Sequence, residues 1–103
     1  MLLMTHTSLP GPDAHLDDVK AGPGGAMTDE VGVITGELTV ATRPLADGRA
    51  VVLVQYKDAD EWYTLTGSPV SVAPGGIAQL HAAVLERVRA GGGARVTGGE
   101  TSA

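Results

Sequence analysis

The stretch that decides the fold is residues 50–72, AVVLVQYKDADEWYTLTGSPVSV. Val51, Val52, Leu53 and Val54 lead through Tyr56 to an acidic turn, Asp58-Ala59-Asp60-Glu61, and Trp62, Tyr63, Thr64 and Leu65 follow it. β-branched and aromatic residues on both sides of a polar turn predict two strands folded back on each other. Just upstream, residues 31–42 (VGVITGELTVAT) are β-branched and free of proline, which predicts a third strand. Along it Ile34, Leu38, Val40 and Thr42 share one face, and Val31, Val33, Thr35, Glu37 and Thr39 share the other. Gly36 marks a bend, a bulge or a close approach by another element.

The loops set the register. A two-residue Asp47-Gly48 loop would bring Gln55 and Lys57 opposite Val40 and Leu38, polar against apolar. A three-residue loop, Ala46-Asp47-Gly48, closes instead on Leu45 and Arg49 and uses Gly48 as its left-handed residue. Val40 then faces Val54, Leu38 faces Tyr56 and Thr42 faces Val52, so the longer loop is expected. For the second turn, a loop over 58–61 pairs Lys57 with Trp62, Tyr56 with Tyr63, Val54 with Leu65 and Val52 with Gly67. The two loops together predict one apolar sheet face, backed by a mixed face of Val51, Leu53, Gln55, Lys57, Trp62, Thr64 and Thr66.

Gly67-Ser68-Pro69 interrupts the last strand, and Val70-Ser71-Val72 either resumes it as a short fourth strand or crosses the sheet. A helix is expected over 76–90, where Ile77, Leu80, Val84 and Val88 recur at helical spacing and Leu85 widens the stripe. Arg87 and Arg89 suit its C-terminal dipole, Gly91 suits its end, and no side chain caps its start. The predicted class is α+β: a three-stranded antiparallel β-meander, with that possible fourth strand, packed on one C-terminal helix in the order β-β-β-α.

Both ends read as unstructured. Residues 1–28 hold Pro10, Pro12, Pro23 and four glycines and show no sustained pattern, so they are a disordered tail or the product of a start placed upstream of Met27. Residues 91–103 are Gly-rich and polar, a second disordered tail. A single domain over 29–90 remains. A domain of roughly 60 residues buries only about 60% of its unfolded surface, which favours oligomers.

The formal net charge is −5 and the basic residues are scattered, without the stripe that phosphate binding requires. Nucleic acid is therefore not the expected partner. With no cysteine, disulfides, thiol nucleophiles and Cys-based metal sites are excluded. The opening Met-Leu-Leu-Met is too short for a leader or a span, so a cytoplasmic protein with no membrane contact is expected. Abundant Ala, Gly, Val and Arg with few Lys suggests a bacterial, high-G+C source.

Candidate chemistry is sparse. Asp58, Asp60 and Glu61 lack the ligand series and glycine of a calcium loop and read as a solvated hairpin tip. Pro74-Gly75-Gly76 precedes the helix without the lysine of a phosphate loop. His81 sits at the edge of the apolar stripe, and the spacing shows neither an orienting partner nor a nucleophile for it. Trp62 is the residue of most interest: on the face away from the helix, beside Lys57 and Leu53, a lone tryptophan is either a binding hot spot or packed within the monomer under a terminal segment.

From Val51 to Val88 the order of elements resembles HicB-like antitoxin domains and other β-β-β-α modules. That family's Gly-Asp/Glu-Thr and Glu-Ala signature is replaced here by Pro74-Gly75-Gly76-Ile77-Ala78, and no residue role is carried over. The expected function is a non-catalytic interaction or regulatory protein, a homodimer or a binder of another protein, with no cofactor and no metal. Its contact face would carry Trp62, Leu53, Val51, Lys57 and Val33. The alternative is a small ligand-binding protein or enzyme with a site near the helix N-terminus, using His81, Tyr56 or Tyr63. A third reading, single-stranded nucleic acid stacked on Trp62 beside Lys57, runs against the acidic balance.

Overall fold

A computed structural model describes residues 13–97. The chain runs through β1 (His15–Lys20), β2 (Ala26–Thr28), β3 (Gly32–Ile34), β4 (Glu37–Pro44), β5 (Arg49–Tyr56), β6 (Tyr63–Thr64), β7 (Val70–Ser71) and the helix α1 (Ile77–Ala90). The class is α+β, antiparallel strands packed on one C-terminal helix, with more strands than a three-stranded meander. One sheet has the order β1-β4-β5-β6, with β7 also on β5; β2 and β3 form a second, two-stranded sheet.

The first hairpin has the register its loop chemistry dictates. Leu38 faces Tyr56, Val40 faces Val54 and Thr42 faces Val52. At the turn, the Leu45 N–H donates to the Arg49 carbonyl and the Gly48 N–H to the Leu45 carbonyl. The second hairpin departs from expectation. Val54 faces Tyr63, not Leu65, and Leu53 faces Thr64. The physical cause lies at the end of β5, where Asp58 takes a left-handed φ of 67° and the Ala59 N–H turns back onto the Tyr56 carbonyl. The loop therefore begins one residue early and extends through Trp62. Because the slip is by two positions, each residue keeps its face, and Leu65 stays in the core.

The strand expected over 31–42 is divided. Gly36, at φ 88°, separates β3 from β4, so only β4 joins the main sheet. Val70 and Ser71 do form a short strand, pairing with Ala50 and Arg49. The helix is as expected: Arg87 and Arg89 lie in its last turn, Gly91 is its C-cap, and no side chain caps its N-terminus.

The larger correction concerns the ends. Residues 13–28, expected to be unstructured, form β1 and β2. β1 pairs along β4 from His15–Thr42 to Lys20–Glu37, and Val19 is buried. Past the Ala21–Gly25 bulge the same hairpin continues as β2 on β3, with Ala26 opposite Ile34. At its tip the Thr28 hydroxyl donates to the Gly32 carbonyl and accepts from the Val31 N–H. β2 then reaches the far side of the main sheet, where Thr28 bridges Leu65 and the Thr66 N–H donates to the Met27 carbonyl. The Gly-rich C-terminal segment is also tied in through residue 97. Ala94 bridges Ala26, the Val96 N–H donates to the Thr66 carbonyl, and Val96 is buried. Residues 1–12 and 98–103, the remainder of the two expected tails, lie outside the described residues.

A single core joins these pieces. Leu80, Val84 and Val88 of α1 meet Leu38, Val40, Val52, Val54 and Leu65 of the main sheet, with Val19, Ile34 and Val96 at its margins. The helix covers one face of the sheet, and among the described residues no second helix lies on the opposite face. Among the described residues no helix is long and apolar enough to cross a membrane.

Candidate interaction surface

The uncovered face is set by strand alternation. In β4 the side chains of Leu38, Val40 and Thr42 point to the helix, so Thr39, Ala41 and Arg43 point away. The pairing aligns outward rows across three strands: Leu16–Ala41–Leu53, continued by Thr64, and Arg43–Val51. Asp18–Thr39–Gln55 forms a third row, and Trp62, the last residue of the loop, directly precedes β6. Ala41 has no exposed surface and Gln55 almost none, so larger side chains of these rows form the surface above them. Leu16 is 49% exposed, while Val51, Leu53 and Trp62 are half-buried. None of these four belongs to the core or is among the side chains packed against it.

The polar margin is ordered. Thr39 donates to Asp18 at 2.7 Å, and Lys57 lies 3.6 Å from Asp18 and 3.9 Å from Glu37. At the β6 margin Glu30 accepts from both the backbone N–H and the hydroxyl of Thr64, each at 2.7 Å, and Asp29 accepts from the Thr66 hydroxyl. Slight burial pushes the Glu30 carboxyl up, but its bonds from the Thr64 hydroxyl and N–H prevail and hold it below the ordinary value. This clamp fixes the β2–β3 hairpin beside the surface.

Four of the five residues expected on the contact face lie where the alternation places them: Val51, Leu53 and Trp62 in it, Lys57 at its margin. Val33 does not. It is exposed on β3, opposite Met27 in the two-stranded sheet, because Gly36 takes that segment out of the main sheet. Leu16 and Arg43, which complete the face, escaped the sequence reading. Leu16 falls in the segment expected to be unstructured, and Arg43 lies just past residues 31–42, the span expected as a strand.

The residues named for a ligand site are dispersed. Tyr56 is exposed at the end of β5. Tyr63 donates to Glu61 at 2.9 Å, and that bond, with burial and nearby negative charge, raises its hydroxyl above the ordinary phenol value. The effect runs against use as a nucleophile. The cleft at the helix N-terminus, about 200 Å³, is lined by Pro44, Leu45, Arg49, Val72, Pro74 and Ile77 among others. Neither tyrosine nor His81 lines it.

His81 has the partners that its spacing did not reveal. It is 4% exposed, with Nδ1 2.7 Å from Thr42 Oγ1 and Nε2 2.9 Å from Asp17 Oδ2. A carboxylate only accepts, so Nε2–H donates to Asp17, while Nδ1 and the Thr42 hydroxyl share the second hydrogen bond. The His15 ring stands 5.5 Å away. A Thr–His–Asp series has the composition of a nucleophile relay. Here the hydroxyl is 0% exposed and lies outside the cleft, beyond a substrate's reach. Its evident effect is mechanical: one buried imidazole ties α1 to both β1 and β4. Among the described residues no group of three His, Asp or Glu could hold a metal ion.

No family model matches the chain, and neither does any curated protein or solved structure.

Proposed function

We propose that this protein is a non-catalytic interaction module that works through the uncovered face of its main sheet, and that its basic assembly is a homodimer. The observation that carries the reading is the group of Leu16, Val51, Leu53 and Trp62, four large apolar side chains that lie outside the core. Aromatic and aliphatic side chains grouped in this way, inside a rim of ordered polar pairs, match the anatomy of a contact surface. Face-to-face packing is favoured over edge pairing. The free edge of the main sheet on this side is β1, and it bears Asp17 and Asp18, the kind of charge that opposes strand addition by another acidic copy.

Sedimentation of the full chain tests the reading. A dimer should form with increasing concentration in the micromolar range, and Trp62→Ala should weaken it by about tenfold or more, as loss of a central aromatic anchor does. A wild-type chain that stays monomeric to the high micromolar range would remove the homodimer, and an unaffected Trp62→Ala dimer would remove the surface.

A further inference from the structure

The outer face also contains one buried guanidinium nitrogen with no partner. Arg43 stands on β4 opposite Val51, half-buried, and its Nε has neither solvent exposure nor a hydrogen-bond partner. Among the described residues it forms no ion pair, in a protein that has twelve acidic residues to seven basic. A guanidinium N–H withdrawn from water and left unpaired is unfavourable, and its flat fork suits the two oxygens of a carboxylate. The other end of the same face has the opposite character. There the loop after β5 carries Asp58 and Asp60, both exposed and neither ion-paired among the described residues.

We propose that Arg43 is the anchor of the homodimer and receives a carboxylate, Asp58 or Asp60, from the second copy. The inference rests on the surface reading above and adds the partner's chemistry and the orientation of the contact. Arg43 and the 58–60 loop lie at opposite ends of β5, separated by the five-residue step from Val51 to Tyr56, about 17 Å at strand spacing. A two-fold axis lying between the two sheets and running across the strands exchanges those ends. It sets each Arg43 over the other copy's acidic loop and stacks Leu53 and Trp62 of both copies in the middle. The same operation makes the pair twice, as an isologous interface requires. Packed sheets stand about 10 Å apart, a gap that an arginine and an aspartate together span.

Charge exchange in full-length protein tests this. Arg43→Glu should weaken self-association in sedimentation by about tenfold or more, as removal of one member of a desolvated charge pair does. The double variant Asp58→Arg, Asp60→Arg should weaken it similarly, and an equimolar mixture of the two should dimerise again. Arg43→Lys, which keeps the charge and loses the fork, should fall between wild type and Arg43→Glu. Circular dichroism of each variant confirms the fold before it is compared. If the wild type dimerises and Arg43→Glu dimerises equally well, this inference fails while the surface reading stands. If both variants are weakened but the mixture stays monomeric, the pairing with the acidic loop is wrong. A monomeric wild type overturns both.

Discussion

Removing residues 1–26, so that the chain begins at Met27, should cost it most of its stability. The deletion takes away Val19, 6% exposed under α1, and a fully buried valine contributes about 1.5–3 kcal/mol. It takes away Asp17 as well, leaving the buried His81 Nε2 without its acceptor, at a cost of about 1–3 kcal/mol. It also removes Ala26 from the core and the Gly22 N–H that donates to the Val88 carbonyl near the end of the helix. The first two losses together come to roughly 2.5–6 kcal/mol, against a total of about 5–15 kcal/mol for a typical domain. Urea unfolding followed by Trp62 fluorescence reads this directly. The truncated chain should be unfolded in water or show a midpoint at less than half the wild-type urea concentration, with a smaller slope because less surface is exposed. Asp17→Ala alone should lose only the histidine share. A truncated chain with the wild-type midpoint and slope would refute the place given to β1 in the fold.

Two further perturbations test local features. Gly67 has φ 103°, and a Cβ there would run into the Val96 carbonyl, so Gly67→Ala should destabilise by about 1–3 kcal/mol or more and loosen the C-terminal segment; thermal melting and exchange of the Val96 amide measure both, and an unchanged melting temperature would count against that packing. The Glu30 clamp should respond to acid. Its folded value lies below the ordinary 4.5, so its contribution is complete above that pH and is lost as pH falls through the lower folded value. The Thr64 amide signal should shift over that acidic window in wild type and not in Glu30→Gln; a flat wild-type response would dismiss the clamp.

What the sequence disclosed follows from how local each signal is. The β4–β5 register depends on one loop and two alternating strands, and Ala46-Asp47-Gly48 was enough to assign it. The helix likewise follows from the spacing of Ile77, Leu80, Val84 and Val88. The second hairpin slipped because the left-handed turn at Asp58 has no glycine to announce it. The N-terminal strand was illegible for a different reason. Its outward positions carry Leu16, Asp18 and Lys20, a mixture without apolar alternation, and the following Ala-Gly-Pro-Gly-Gly looks like a linker. In the fold those glycines permit close packing: a Cβ on Gly22 would meet the Arg89 carbonyl at the end of α1. The cost of missing β1 extended to the site, since Leu16 and the Asp17 partner of His81 both lie on it. Trp62, Leu53 and Val51 remained readable because they belong to the hairpin whose faces the alternation fixes.

The central claim is that the sheet face opposite α1 is where this protein meets its partner copy. Methyl NMR with a soluble paramagnetic probe tests it most directly, comparing dilute and concentrated samples. The claim predicts that the methyls of Leu16, Val51 and Leu53 become shielded from the probe as concentration rises, while those of Ile77 and Leu85 on the helix side do not change. Equal broadening of the outer-face methyls at every concentration, or shielding that develops on the helix side instead, would contradict it.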